Sequence, residues 1–97
     1  MQTYVVLMKL TDQGVKDIKD APQRIKDGIS LFERNGGKVV GFYLTMGDYD
    51  YVAVGEAPND GVVLTFCLTL AAGGNVRTTT LRGFPASELE QLLSGIG

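Results

Sequence analysis

The sequence predicts an α+β fold in the order β-α-β-β-α-β, followed by a short helix. Three observations predict it. Four runs rich in β-branched and aromatic residues are separated by two stretches of helical pattern. The polar turn Gly47-Asp48-Tyr49-Asp50 lies between the second and third of those runs and closes a β-hairpin at the centre of the order. Ninety-seven residues, 44% of them hydrophobic, suit one domain over 1–97 with a small core. This order is the ferredoxin-like pattern, in which two right-handed crossovers give strand order 4-1-3-2 with antiparallel neighbours. The composition agrees, because strands one and three, the central pair, are the most apolar. Strand four, at an edge, carries the polar run Arg77-Thr78-Thr79-Thr80.

Thr3 to Leu10 is β-branched and apolar and ends at Thr11-Asp12-Gln13-Gly14, which marks strand one. A short helical turn is expected over Asp12 to Ile18. Pro22 suits a first turn but not a helix interior, so a longer helix starts at Asp20 or Ala21 and runs to Asn35. Ile25, Ile29 and Phe32 recur at helical spacing and mark its buried stripe. Gly36-Gly37 ends it. Lys38 to Met46 is strand two and Asp50 to Glu56 strand three. Pro58-Asn59-Asp60 stops that strand and caps the next helix.

Val62 to Ala72 carries valines and threonines that also suit a strand. Its length, the cap before it and Gly73-Gly74 after it favour a helix, and one so apolar is expected to be buried on more than one side. Val76 to Arg82 is strand four. Ser87 is expected to cap a last short helix, with Glu90 three residues on as in a capping box, and Leu89, Leu92 and Leu93 to dock it.

Composition excludes several functions. The net charge of −2 implies no basic face, so no nucleic-acid partner is expected. There is no histidine, which removes Ser-His-Asp and Cys-His chemistry within one chain and the usual zinc and haem ligands. The lone Cys67 cannot form an internal disulfide; beside Phe66 and Leu68 it reads as an inert, buried core residue in a reducing compartment. No signal peptide is recognised, and the longest apolar run is about half the roughly twenty residues needed to span a bilayer. The expectation is a cytoplasmic protein with no membrane partner, no cofactor and no metal. Asp48, Asp50, Glu56 and Asp60 do not match the spacing of a calcium loop.

Several segments together resemble one family. They are Leu10-Thr11-Asp12-Gln13-Gly14, Gly47-Asp48-Tyr49-Asp50, Glu56-Ala57-Pro58 with Asp60, and Asn75-Val76-Arg77-Thr78 with Thr80-Leu81-Arg82. The chain is similar to the GYD-domain family, small bacterial proteins of uncharacterised function. That resemblance implies a ferredoxin-like subunit of the dimeric α/β-barrel kind. It implies no reaction. Fold relatives include cofactor-independent oxygenases, lactone isomerases, haem enzymes and amino-acid-sensing modules, and borrowing from them would be analogy alone.

In a 4-1-3-2 sheet, Lys9, Thr45, Asp48, Tyr49, Asp50 and Arg77 gather at one end. Cations, carboxylates and a phenol there suit a small polar or anionic ligand. They also have a structural reading, in which Asp48 shapes the turn and Asp50 pairs with Lys9 or with backbone N–H groups. Both long helices are expected to close one sheet face with their apolar stripes. The other face would carry Val5, Leu7 and Lys9 with Tyr43 or Phe42, Tyr51 or Val52, and Thr79. That mixed surface calls for a partner, and two subunits packed sheet to sheet would enclose either a cavity or a filled core.

Three functions fit. The first is a homodimeric or larger binding or sensing module holding a small metabolite at the open sheet face, through Lys9, Tyr43, Thr45, Tyr49, Asp50, Arg77 and Thr79. The second is a cofactor-independent isomerase or oxygenase using Lys9, Tyr49 or Asp50 as acid or base. The third is a structural or accessory subunit. The first is preferred, because no residue is an obvious activated nucleophile or base.

Overall fold

Four strands form one sheet in the order β2-β3-β1-β4, with every neighbouring pair antiparallel. The computed structural model describes all 97 residues, Met1–Gly97. The elements are β1 (Gln2–Leu10), α1 (Asp12–Lys16), α2 (Ala21–Arg34), β2 (Lys38–Leu44), β3 (Tyr51–Ala57), α3 (Asp60–Gly73), β4 (Val76–Gly83) and α4 (Leu89–Leu93). Short 3-10 turns occupy Ile18–Asp20, Ala86–Glu88 and Ser94–Ile96. No helix is long and apolar enough to cross a membrane.

Alternation along the central strands assigns the two sheet faces. Tyr4, Val6 and Met8 of β1 are buried under α2 and α3, together with Tyr51 and Ala57 of β3. Val5, Leu7 and Lys9 point the other way, opposite Val54, Val52 and the β4 residues Leu81, Thr79 and Arg77. The ambiguous pairs resolve through this register. Tyr43 pairs with Val52 on the helix-free face, whereas Phe42 and Tyr51 lie on the helix side with their rings 5.6 Å apart. A bulge between Val39 and Gly41 leaves Val40 exposed at the β2 edge.

α2 begins at Ala21 with Pro22 in its first turn, and it ends where Gly36 takes φ +94°, a backbone angle that favours glycine. Phe32 anchors its last turn. Its ring occupies the space that a Cβ on Gly37 or Gly55 would need, and meets Phe66 edge-on at 5.3 Å. Ile25 and Ile29, expected in the same stripe, are only half-buried, whereas Ala21 at the start of α2 and Phe32 near its end are buried.

α3 is a helix, capped by the Asn59 side chain, which accepts from the Val62 N–H at 3.1 Å. Two expectations for it are corrected. It is buried on one side only, through Val63 and Phe66, while Leu64 and Leu68 are about 60% exposed. Cys67 is half-buried rather than in the core, with Sγ 3.3 Å from Thr80 Oγ1 of the edge strand β4. The cause is the single sheet layer, which offers α3 one apolar surface and no second.

The C-terminal segment also departs from expectation. Ser87 sits inside a 3-10 turn, α4 starts after Glu88 with no side-chain cap, and Leu89, Leu92 and Leu93 remain about half exposed. Five residues form too short a helix to hold itself, and Pro85 leads into it in an extended conformation.

Gly28 lies mid-helix where α2 meets α3. A Cβ there would stand 3.6 Å from Phe66 Cε1, ordinary contact. Gly28→Ala is therefore expected to raise stability by about 0.5–1 kcal/mol through helix propensity. Urea denaturation checks it, and a loss of stability would show that the two helices need to be closer still.

Candidate functional site

The polar residues predicted at one sheet end separate into two groups with different work. The first group builds a corner of the fold. The Asp50 N–H donates to Met8 O at 2.9 Å and its Oδ2 accepts from the Leu10 N–H at 2.8 Å. Thr45 donates its N–H to Asp50 O at 2.9 Å and its hydroxyl to Tyr49 O at 2.5 Å. These bonds end β2 at Leu44 and start β3 at Tyr51, so Thr45, Met46 and Asp50 belong to the connection rather than to the strands. The Thr45 hydroxyl and the Asp50 carboxylate, the latter half-buried, are thus engaged by backbone.

The next layer of the corner uses Leu10-Thr11-Asp12-Gln13-Gly14 and Asn75. Thr11 Oγ1 accepts from the Gly14 N–H at 3.1 Å and donates to Gly74 O at 2.6 Å. The Thr11 N–H donates to Asn75 O at 3.0 Å, and Gln13 Nε2 donates to Gly73 O at 3.1 Å. These bonds tie α1 to the α3–β4 turn. Three of the stretches that looked like a signature therefore meet at one place, and the bonds they make there are scaffolding.

Asp50→Ala is expected to cost about 1–3 kcal/mol, because the Leu10 N–H loses its acceptor in a partly buried position. Chemical denaturation measures it; a loss below about 0.5 kcal/mol would mean water replaces the carboxylate.

The second group lies on the helix-free face. Lys9 is directly opposite Arg77, with Thr79 opposite Leu7 one pair further on, and all three are exposed. Tyr43 is on β2, two strands from Lys9, or about 10 Å at normal strand spacing. Lys9, Arg77 and Thr79 are thus brought together, whereas Tyr43 stands apart. Asp48 is exposed in the turn. Two like charges facing each other across a strand pair are unfavourable unless an anion joins them.

Sequence reasoning missed a cluster at the β4 edge. The Tyr4 hydroxyl donates to the Asp60 carboxylate, and Gln2 Oε1 is a second acceptor 2.6 Å from the Tyr4 hydroxyl oxygen. The Arg82 guanidinium stands 5.5 Å from the Tyr4 ring centroid and 4.7 Å from that of Phe84. Fifty-six residues separate Tyr4 from Asp60, so no local pattern points to the pair. Burial, then the hydrogen bond and charge of Asp60, raise the Tyr4 phenol above its ordinary 10.0. The unfolded chain then loses this proton first, so the contribution to stability is complete below about pH 10 and is lost as pH rises beyond it. Tyr4→Phe is expected to flatten that alkaline fall in a Tm–pH profile; an unchanged profile would assign the fall to other groups.

The helix-covered face is not closed, contrary to expectation. A cavity of about 470 Å³ lies between α2, α3 and the sheet, lined by Met8, Leu10, Ile25, Ile29, Phe42 and Tyr51 among others. The half-buried Ile25 and Ile29 line it from the middle of α2.

Comparison with known proteins gives a consistent picture. The family model of the GYD domain matches residues 4–93. A Thermus thermophilus protein named "Glutamine synthetase and cystathionine beta-lyase binding protein" is 40% identical over 90 residues, covering 92% of this chain and 95% of that protein. The crystal structure of a Thermus thermophilus protein superposes with a TM-score of 0.53 at 26% identity, covering 89% of this chain and 96% of the other.

Proposed function

The chain belongs to the GYD-domain family, and from that premise we propose that it is a self-associating binding module that docks on metabolic enzymes. One observation carries the self-association, and the name of the Thermus relative suggests the enzymes. The helix-free sheet face presents Val5, Leu7, Val52, Val54, Leu81 and Tyr43 side by side, and every long helix of the chain lies on the other side. An apolar face of four strands left open to water favours a partner. A second copy of this chain suits it, since two such sheets packed face to face form the dimeric α/β-barrel expected of the family.

The partner enzymes in this reading are those in the relative's name, glutamine synthetase and cystathionine beta-lyase. The lone Cys67 suits a reducing compartment, the cytoplasm. A small-molecule role at the same face is a second reading, favoured by the opposed Lys9 and Arg77. A metabolite carboxylate between them, with Thr79 beside it, would relieve their repulsion; Tyr43, Thr45, Tyr49 and Asp50 would then shape the site rather than hold the ligand. In either reading the chain binds without turnover.

The test is to mix the purified protein with glutamine synthetase and with cystathionine beta-lyase from the same organism and follow each by analytical ultracentrifugation. Co-sedimentation with either enzyme is expected. Independent sedimentation with both, at concentrations in the tens of micromolar, a range set by weak cellular complexes, would overturn the docking reading.

A further inference from the structure

We propose that the cavity between α2 and the helix-covered face of the sheet is a binding site for a small monocarboxylic acid with an apolar body. This site is distinct from the helix-free face and stands independently of enzyme docking. Its volume, about 470 Å³, falls within the roughly 300–1,000 Å³ of small-molecule sites. Eighteen of its 26 lining residues are hydrophobic, so an occupant must be apolar over most of its surface.

The second observation is Tyr51. The residue is only 5% exposed and lines the cavity, yet its hydroxyl makes no hydrogen bond within the protein. No polar side-chain atom of the chain is sealed from solvent without a partner. The Tyr51 hydroxyl therefore keeps access to solvent, and the cavity that Tyr51 lines offers a place for an oxygen to accept its proton. A buried phenol normally finds a partner within its own fold, so an unpartnered one inside an apolar cavity marks where the polar end of a ligand belongs.

Charge selects the class of that polar end. Tyr51 lies beside Met8, near the end of β1, and the first turns of α2 pass over the same end. Arg24 lines the cavity from those turns, as do Asp27, whose Oδ1 accepts from Gln23 Nε2 at 2.9 Å, and Arg34 from the last turn of α2, so cations outnumber carboxylates on the lining. Arg24 Nη1 donates to Asp17 O at 3.0 Å, which fixes the side chain and leaves Nη2 and Nε uncommitted. A guanidinium and a phenol at one end of an apolar cavity recognise a carboxylate. The apolar tail would run under Ile25 and Ile29 toward Phe32.

Octanoate and 3-phenylpropionate are suitable probes, with 1-octanol as the uncharged control, followed by calorimetry on the full chain. Saturable binding of one acid per chain is expected, with 1-octanol at least about tenfold weaker, as for one lost charged hydrogen bond. Tyr51→Phe and Arg24→Met should each weaken the acid about tenfold, with circular dichroism unchanged. Ile29→Trp should fill the cavity and abolish binding while the protein keeps or raises its Tm. Absence of saturable binding by both acids would overturn the proposal. So would equal affinity for octanoate in the wild type, Tyr51→Phe and Ile29→Trp proteins, and 1-octanol binding as tightly as octanoate would overturn the acid class.

Discussion

Gly14→Ala is expected to lower stability by about 3 kcal/mol, the upper part of the range for forcing atoms into a packed site. Gly14 is buried in α1 directly against the α3–β4 turn. A Cβ there would stand 2.1 Å from Asn75 O and 3.0 Å from Leu10 Cδ2. The obstacle is backbone, so no rotamer change relieves it. Asn75 O also accepts the Thr11 N–H, and Thr11 in turn holds Gly74 O, so moving the turn away breaks the bonds that anchor α1. At roughly 4–8 °C per kcal/mol for a chain of this size, Tm should fall by more than about 10 °C. Gly95→Ala is the control, because nothing lies within 4 Å of its added Cβ. Equal stability of the two variants would mean the corner is not rigid.

Leu7→Lys is expected to dissociate the assembly. Leu7 lies at the middle of the helix-free face, between Val52 and Thr79. In a lone subunit a lysine there extends its head into water and covers the sheet with its stem, so folding changes little. Between two packed sheets the same charge is desolvated near its own copy and near Lys9 and Arg77. That costs several kcal/mol and weakens association by about 100-fold or more. Light scattering should then report a 10.4 kDa species, where the wild-type protein is expected at twice that mass or more. Thr65→Lys, on an exposed position of α3, should leave the assembly intact. A wild-type protein that is itself 10.4 kDa at micromolar concentration, or a Leu7→Lys protein that assembles normally, would defeat self-association through this face.

Asp50 shows how far a local reading reaches. Its place at the entry to a central strand was enough to expect a bond to backbone N–H groups or to Lys9, but only the β1–β3 register decides for the Leu10 N–H. Lys9 and Arg77 could be placed on one face from alternation, yet their direct opposition depends on the pairing of β1 with β4. The Tyr4–Asp60 bond and the cavity under α2 left no trace in periodicity. The first joins residues far apart in the chain, and the second is set by how the helices come to rest on the sheet.

Element order, the hairpin turn, the helix caps at Asn59 and Gly36 and the strand order follow from the sequence alone. They rest on near-neighbour forces: φ preferences, capping bonds and the two periods of side-chain burial. Tertiary structure decided what depends on distance rather than order. It left Leu64 and Leu68 of α3 and the leucines of α4 in solvent, because one sheet offers one covered face. It turned the signature residues Thr11, Asp50 and Asn75 into scaffolding, because they bond to backbone groups from other elements. It also left Tyr51 with an unpaired hydroxyl, because packing, unlike pattern, depends on where a helix comes to rest.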